Sequence, residues 1–412
     1  MVSTIESFAE SIGANKVVLA LSMARMGDAI GNSILFIIIP LYVASLPAPF
    51  LPFSEPVRTG VLIALYGIIS ALLQPLGGSL SDRACKRKIF IQVGLLIMGA
   101  STFAFVFANH FTDLLILRSL QGIGVALTIP ASLAIMTVAT KKETRGGAMG
   151  VYTTSRMVGF AIGPLIGGIL YDAYGFDPAF YAGTGFIILA MILIQAWVKD
   201  VECEIPPEGR GIKVFFNRSL LTAGIICLAF ATFAMSSAFS MLTTLEPQIN
   251  QRLNQSAFTF SIAFSSLMFS RLILQIPLGR LSDRVGRKPL IVLGLIVIAP
   301  ATALIGYALT SLQLIGLRII QGIASAGIAA PAFALAADLS KKGSEGQQFA
   351  IVTMGFGLGI ALGPLIAGIL VAPSFPLPFI IGGIMALIGA LVVFRYVPET
   401  IDRKNRLDKY QS

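Results

Sequence analysis

Charged residues are scarce in this chain. Asp, Glu, Lys and Arg make up 12% of its 412 residues, about half the share of a water-soluble domain, which leaves too little polar surface for an aqueous fold. Histidine occurs once, at His110. The three cysteines, Cys85, Cys203 and Cys227, have no CxxC spacing, which argues against a disulfide framework and a thiolate metal site. No metal and no cofactor is expected. An intramembrane enzyme would need a nucleophile with its base, or paired acids, at membrane depth. One mid-helix acid and one loop histidine do not supply them.

Apolar residues fill the space instead, at 56% with a mean hydropathy of +0.85. They gather into twelve stretches, at 17–44, 59–80, 89–108, 114–139, 148–171, 179–198, 220–245, 258–280, 289–309, 314–338, 348–371 and 378–397. Each is long enough to cross a bilayer as a helix. The pattern predicts an all-α membrane protein of 12 transmembrane helices, with no room for a soluble catalytic domain.

The net charge of +10 would point to nucleic acid in a soluble protein, but its distribution gives another meaning. Of the 30 Lys and Arg, 23 fall in the termini and one set of loops, and only Arg58 and Arg252 in the opposite loops. An excess of basic residues in short loops marks the cytoplasmic face. Both termini are therefore expected in the cytoplasm, the protein in a plasma (inner) membrane, and no nucleic acid among its partners. Residues 1–16 carry Glu6 and Glu10 and no basic n-region, unlike a signal peptide.

The two halves repeat at a separation of 200 residues. LRSLQGI (117–123) returns as LRIIQGI (317–323), and GPLIGGIL (163–170) as GPLIAGIL (363–370). GSLSDR (78–83) returns as GRLSDR (279–284), shifted by one. Such repeats predict two six-helix bundles, 1–198 and 220–412, joined by a cytoplasmic linker at 199–219 and closed by a cytoplasmic tail. They imply a substrate site near mid-membrane and transport by rocking of one half against the other.

GGSLSDRACKRK (77–88) and GRLSDRVGRK (279–288) resemble the signature loop of the major facilitator superfamily. LRSLQG in the fourth span resembles a second signature. GFAIGPLIGG (159–168) in the fifth resembles one typical of the 12-helix drug:proton antiporter branch. The resemblance covers both halves, and implies the two-bundle major facilitator fold and secondary transport. It also implies a cytoplasmic gate at Gly78, Asp82, Arg83, Gly279, Asp283 and Arg284, the loop aspartate holding a helix start of the other half. For Lys86, Arg87, Lys88, Arg287 and Lys288 a positive-inside topology signal is the favoured reading. In the fifth span Gly159, Gly163 and Gly167 share one helix face, and Pro164 removes a helix hydrogen bond. Hinge and plain packing both remain open for them, since the eleventh span repeats the feature.

A charge at mid-membrane is costly and needs a reason. Arg25 and Asp28 lie in the first span, Arg118 in the fourth, Arg156 in the fifth, Arg271 in the eighth and Arg318 in the tenth. Asp28, the only acid near a helix middle, is the candidate proton site, with Arg118 assisting. Arg25 shares its helix face three residues away, so a static ion pair is the competing reading. Arg118 recurs as Arg318, whereas Arg156 aligns with Phe356 and Arg271 with Ser70. Arg25, Arg156 and Arg271 are eight or nine residues from the cytoplasmic ends of their spans, which predicts an arginine cluster at one depth in the substrate cavity. Two transport functions follow: proton-coupled export of amphipathic small molecules, or transport of organic anions or acidic lipids by the arginines. A receptor that moves nothing is a third possibility. Expected partners are a small-molecule substrate, protons and the lipid bilayer, with the protein a monomer.

Overall fold

The computed structural model describes residues 15–49, 52–84, 86–141, 144–200, 222–339 and 345–400. The first 14 residues, the linker from 201 to 219, Cys85, Cys203 and the tail from 401 lie outside the described residues. All regular structure among the described residues is helical. The elements are α1 (Lys16–Ser45), α2 (Glu55–Ala84), α3 (Arg87–Ala104, with a 3-10 turn Phe105–Phe107), α4 (Phe111–Ala139), α5 (Arg145–Tyr174) and α6 (Phe176–Trp197). After the linker come α7 (Ala223–Thr244), α8 (Glu246–Leu253), α9 (Ala257–Val285), α10 (Arg287–Ile305), α11 (Ser311–Leu339), α12 (Glu345–Leu370) and α13 (Leu377–Tyr396). Twelve of them, all but α8, are long and apolar enough to cross a membrane.

Two features depart from the hydropathy pattern. The signature segments at 78–83 and 279–284 are not loops but the last turns of α2 and α9. Hydropathy registers where lipid ends, whereas helical hydrogen bonding runs on as long as polar side chains are satisfied. Ser81 Oγ donates to the Gly78 carbonyl at 2.8 Å and Ser282 Oγ to that of Gly279 at 2.6 Å, folding each hydroxyl back onto its helix. The short α8 lies in a stretch too polar to register as a span. Pro247 occupies its first turn, where a missing N–H costs nothing. Asn254, left-handed at φ 48°, ends it, as expected of a helix terminator.

The chain forms two compact units. The first comprises Met1–Pro52, Leu65–Val214 and Ser256–Ser261, and the second Phe53–Ala64, Phe215–Gln255 and Ile262–Ser412. In the first unit α5 packs along α1 through its glycine face. A Cβ added at Gly159 would lie 2.6 Å from the Met26 carbonyl oxygen, and one at Gly163 would lie 2.0 Å from Ser33 Oγ. Ser33 Oγ in turn donates to the Gly159 carbonyl at 3.1 Å. In the second unit α12 meets α7 the same way: Gly359 and Gly363 abut Ser236, Ser237 and Ser240, and Ser240 Oγ donates to the Gly359 carbonyl at 3.1 Å. Lipid tails are as apolar as leucine, so helices in a bilayer associate through close backbone approach and hydroxyl bonds. Gly163→Ala should therefore cost about 1–3 kcal/mol by overpacking. Gly150→Ala, inside the same helix and where a Cβ meets nothing within 4 Å, should instead stabilise by roughly 0.5–1 kcal/mol. Thermal unfolding in detergent measures both.

Candidate functional site

Among its described residues the first unit holds three buried charged ones, Arg25, Asp28 and Arg118. Arg25, Asp28 and Asn32 follow one another on α1 at i, i+3 and i+7, which places them on one helix face. Arg25 Nη1 pairs with Asp28 Oδ2, and both side chains are nearly inaccessible, at 8% and 4%. Removing one partner of such a pair leaves an uncompensated buried charge, at a cost of about 3–5 kcal/mol. Asn32 Nδ2 donates to the Tyr66 hydroxyl on α2 at 2.9 Å. Tyr66 lies within electrostatic reach of Asp28, Arg118, Arg25 and Arg156. Asp28 and three of the four cavity arginines expected from the sequence thus surround one tyrosine.

Arg118 on α4 stands over the Tyr66 ring, 5.2 Å from its centroid. Its Nη1 donates to Gln121 Oε1 at 2.9 Å, and Gln121 Nε2 donates to Thr102 Oγ1 at 2.8 Å. Thr102 completes the run by donating to the Met98 carbonyl. The second unit repeats the run 200 residues later: Arg318 to Gln321 at 2.9 Å, Gln321 to Thr302 at 2.9 Å, Thr302 to the Ile298 carbonyl. Arg318 also donates to the Phe239 carbonyl at 2.9 Å. A network present in both units holds α3 to α4 and α10 to α11, and part of Arg118's work is therefore structural.

The ion pair is not repeated. The contacts of Gly159 with Ile30 N and of Gly359 with Ser237 N, and of Gly163 with Ser33 and Gly363 with Ser240, set α1 against α7. In that register Asp28 corresponds to Met235, Arg25 to Thr232 and Asn32 to Phe239. Arg156 lies over Phe160 at 5.0 Å. Arg271 belongs to the second unit, where it lies 5.3 Å from the Phe356 ring centroid and 5.9 Å from that of Phe239. By their helix bounds Arg25 lies 9 residues, Arg156 11 and Arg271 14 from the helix end nearest the basic loops. Those counts correspond to roughly 14, 16 and 21 Å along each helix, and α9 continues past the end of its apolar stretch at 280.

At the signature segments, Gly78 abuts Pro130 of α4 and Gly279 faces Ala330 of α11. Arg83 and Arg284 are exposed. Of Asp82 only the helical backbone is described. Asp283 pairs with Arg287 at 3.4 Å, and Arg287 also holds Asp338 and the Ala334 carbonyl. Arg287 thus joins α9, α10 and α11 within its own unit, beyond any topology signal. Glu246, in the first turn of α8, is fully buried. Sequence reasoning passed over Asn32, Tyr66, Gln121 and Thr102. Gln121 and Thr102 were detectable as positions repeated at 321 and 302, and Asn32 as the polar residue one turn beyond Asp28. Tyr66 carried no sequence signal.

The sequence model of the Major Facilitator Superfamily matches residues 21–228 and again 228–411. The chain belongs to this superfamily. It is a multi-pass membrane transporter and not an enzyme. Among its relatives, the human synaptic vesicular amine transporter is 28% identical over 85% of this chain and 69% of its own length. The mouse protein is covered over 66% of its length, so the chain spans about two thirds of these transporters. The multi-drug resistance efflux pump PmrA of Streptococcus pneumoniae is 27% identical over 80% of this chain and 86% of its own length. Two solved structures share the fold. A bacterial homolog of the human lysosomal transporter Spinster has a TM-score of 0.74 at 15% identity, covering 92% of this chain and 95% of its own. The human organic anion transporter MFSD10 (TETRAN) has 0.67 at 18%, covering 92% and 99%.

In this superfamily member the duplicated network makes a clear prediction. Gln121→Ala and Gln321→Ala each remove the bridge between a buried arginine and a buried threonine. Each should lower stability by about 1–3 kcal/mol, read from unfolding in detergent, with the two effects similar in size.

Proposed function

We propose that the chain is a proton-coupled exporter of amphipathic small organic molecules, working by alternating access, with Asp28 carrying the proton. The observation behind this reading is the buried Arg25–Asp28 pair, which occurs in one unit only and sits beside the Asn32–Tyr66–Arg118 polar run. Ionised, Asp28 holds Arg25. Protonated, it releases a buried cation that must find other partners, so the two protonation states favour different packings of α1. The named activities of the relatives, drug efflux and amine transport, fit this reading. An amine that displaces Arg25 from Asp28 competes with the proton for the same carboxylate, and that competition is a route to exchange.

The two six-helix halves, 1–198 and 220–412, are the moving parts of this scheme, joined by the linker at 199–219. The excess of basic residues in one set of loops supports both termini being cytoplasmic, and the likeness to a bacterial efflux pump supports a plasma membrane location. The segments carrying Asp82, Arg83, Asp283 and Arg284 then form the cytoplasmic gate, and Gly159, Gly163, Pro164 and Gly167 the packing face of a moving helix. A second reading, transport of organic anions or acidic lipids, draws on Arg118, Arg156 and Arg271, each placed over an aromatic ring.

The test is a proteoliposome with an acidic lumen and an internal pH dye, given cationic, zwitterionic and anionic amphiphiles in turn. Cationic compounds should collapse the gradient, and Asp28→Asn should abolish the collapse. Labelled compounds that cross while internal pH stays constant would overturn proton coupling. Activity confined to anions would favour the second reading.

A further inference from the structure

The first unit contains a narrow cavity apart from the Asn32–Tyr66–Arg118 run. Its polar lining is Arg25, Asp28, Thr128, Ser132 and Tyr152, closed by aliphatic side chains of α1, α3 and α6, and it has room for about one water molecule. Two of the polar groups are incompletely bonded. Asp28 Oδ2 takes Arg25, but Oδ1 has no hydrogen-bond partner among the described residues, and neither has the Tyr152 hydroxyl. Both residues are more than nine-tenths buried, at 3% and 5% exposure. Buried polar atoms of this kind are normally satisfied, by protein or by ordered water.

The placement has a direction. Asp28 lies 12 residues from the start of α1, Tyr152 seven from the start of α5 and Ser132 seven from the end of α4. Those counts correspond to roughly 18, 10 and 10 Å, measured from helix ends that all carry the basic loops. Ile91 and Ile194, further lining residues, lie closer still to that end. The cavity therefore extends from Asp28 towards the basic-loop end of the unit.

We propose that this cavity is a water site through which Asp28 exchanges its proton, completed by Tyr152 as a positioning residue. The proposal rests on Asp28 being the proton carrier. One water bonded to Asp28 Oδ1, to the Tyr152 hydroxyl and to the hydroxyl of Ser132 satisfies both incompletely bonded groups. A hydronium arriving there gives its proton to Oδ1: the carboxylate becomes a carboxylic acid, water remains, and Arg25 loses its ionic partner. Proton release reverses each step. The groups facing the carboxylate are Arg25 on its own helix, Tyr66 on α2, and Tyr152 and Arg156 on α5, with Arg118 on α4 acting across Tyr66. None of these others is a carboxylic acid, so the exchanged proton is assigned to Asp28. A water site in the bundle interior lets the proton and the substrate reach the same residue by different routes.

Infrared difference spectra of the full chain in lipid, between pH 5 and pH 9, test this. The native protein should show a protonated-carboxyl band that Asp28→Asn removes. Tyr152→Phe deletes a group that positions the water against the ionised carboxylate, and should raise the midpoint of that band by about one pH unit. Ser132→Leu fills the cavity and should slow deuterium exchange of the band at least tenfold. If Tyr152→Phe does not fold, Ser132→Leu decides alone. An Asp28 band whose midpoint and exchange are unchanged in both variants overturns the water site and leaves the proton reading standing. Absence of any Asp28-dependent band overturns both.

Discussion

The hydrocarbon interior gives a polar group no water to fall back on, so every buried charge must find its partner within the protein. In this transporter that constraint falls hardest on Asp28. Its ionic partner among the described residues, Arg25, lies a turn away on the same helix, and the hydrogen-bonded groups of α2 and α4 are arranged around the pair. The neutral contacts nearby follow from this. Asn32 engages Tyr66, Tyr66 underlies Arg118, and Arg118 is anchored through Gln121 to Thr102.

The repeat separates scaffold from chemistry. Arg118, Gln121 and Thr102 return as Arg318, Gln321 and Thr302 with the same donors and acceptors, and the glycine–serine seam of α1 and α5 returns in α7 and α12. Such duplicated devices maintain a bundle. The asymmetric positions are those that carry charge in one unit alone. Met235 and Thr232 stand where Asp28 and Arg25 would be, and Phe356, the counterpart of Arg156, lies instead beneath Arg271. Each unit thus keeps an arginine against an aromatic ring while drawing it from a different helix, and the first unit adds the Arg25–Asp28 pair within one helix.

Much of this was legible in the sequence because the bilayer imposes simple rules. Span number follows from apolar length, and the internal repeat from the motifs at 117–123 and 317–323. The limits of the helices were less legible, since α2 and α9 continue as polar turns through Gly78–Arg83 and Gly279–Arg284 after the apolar signal stops. The short α8 carried no apolar signal at all. Partners between helices were least visible. Arg25 and Asp28 could be paired because they are near in sequence, but the approach of Tyr66 to Asn32 and Arg118 depends on how α2 packs, and hydropathy does not encode that.

The central claim is that the Arg25–Asp28 pair is a switch and not a fixed brace. The direct measurement is a double-mutant cycle of Arg25→Gln, Asp28→Asn and both together, following unfolding in detergent and accumulation of a fluorescent cation such as ethidium driven by a pH gradient in proteoliposomes. Each single change should destabilise by about 3–5 kcal/mol. The account predicts that the double variant regains most of that stability yet accumulates no dye. A double variant that is stable and accumulates dye as the native protein does would show that the pair only holds the bundle together.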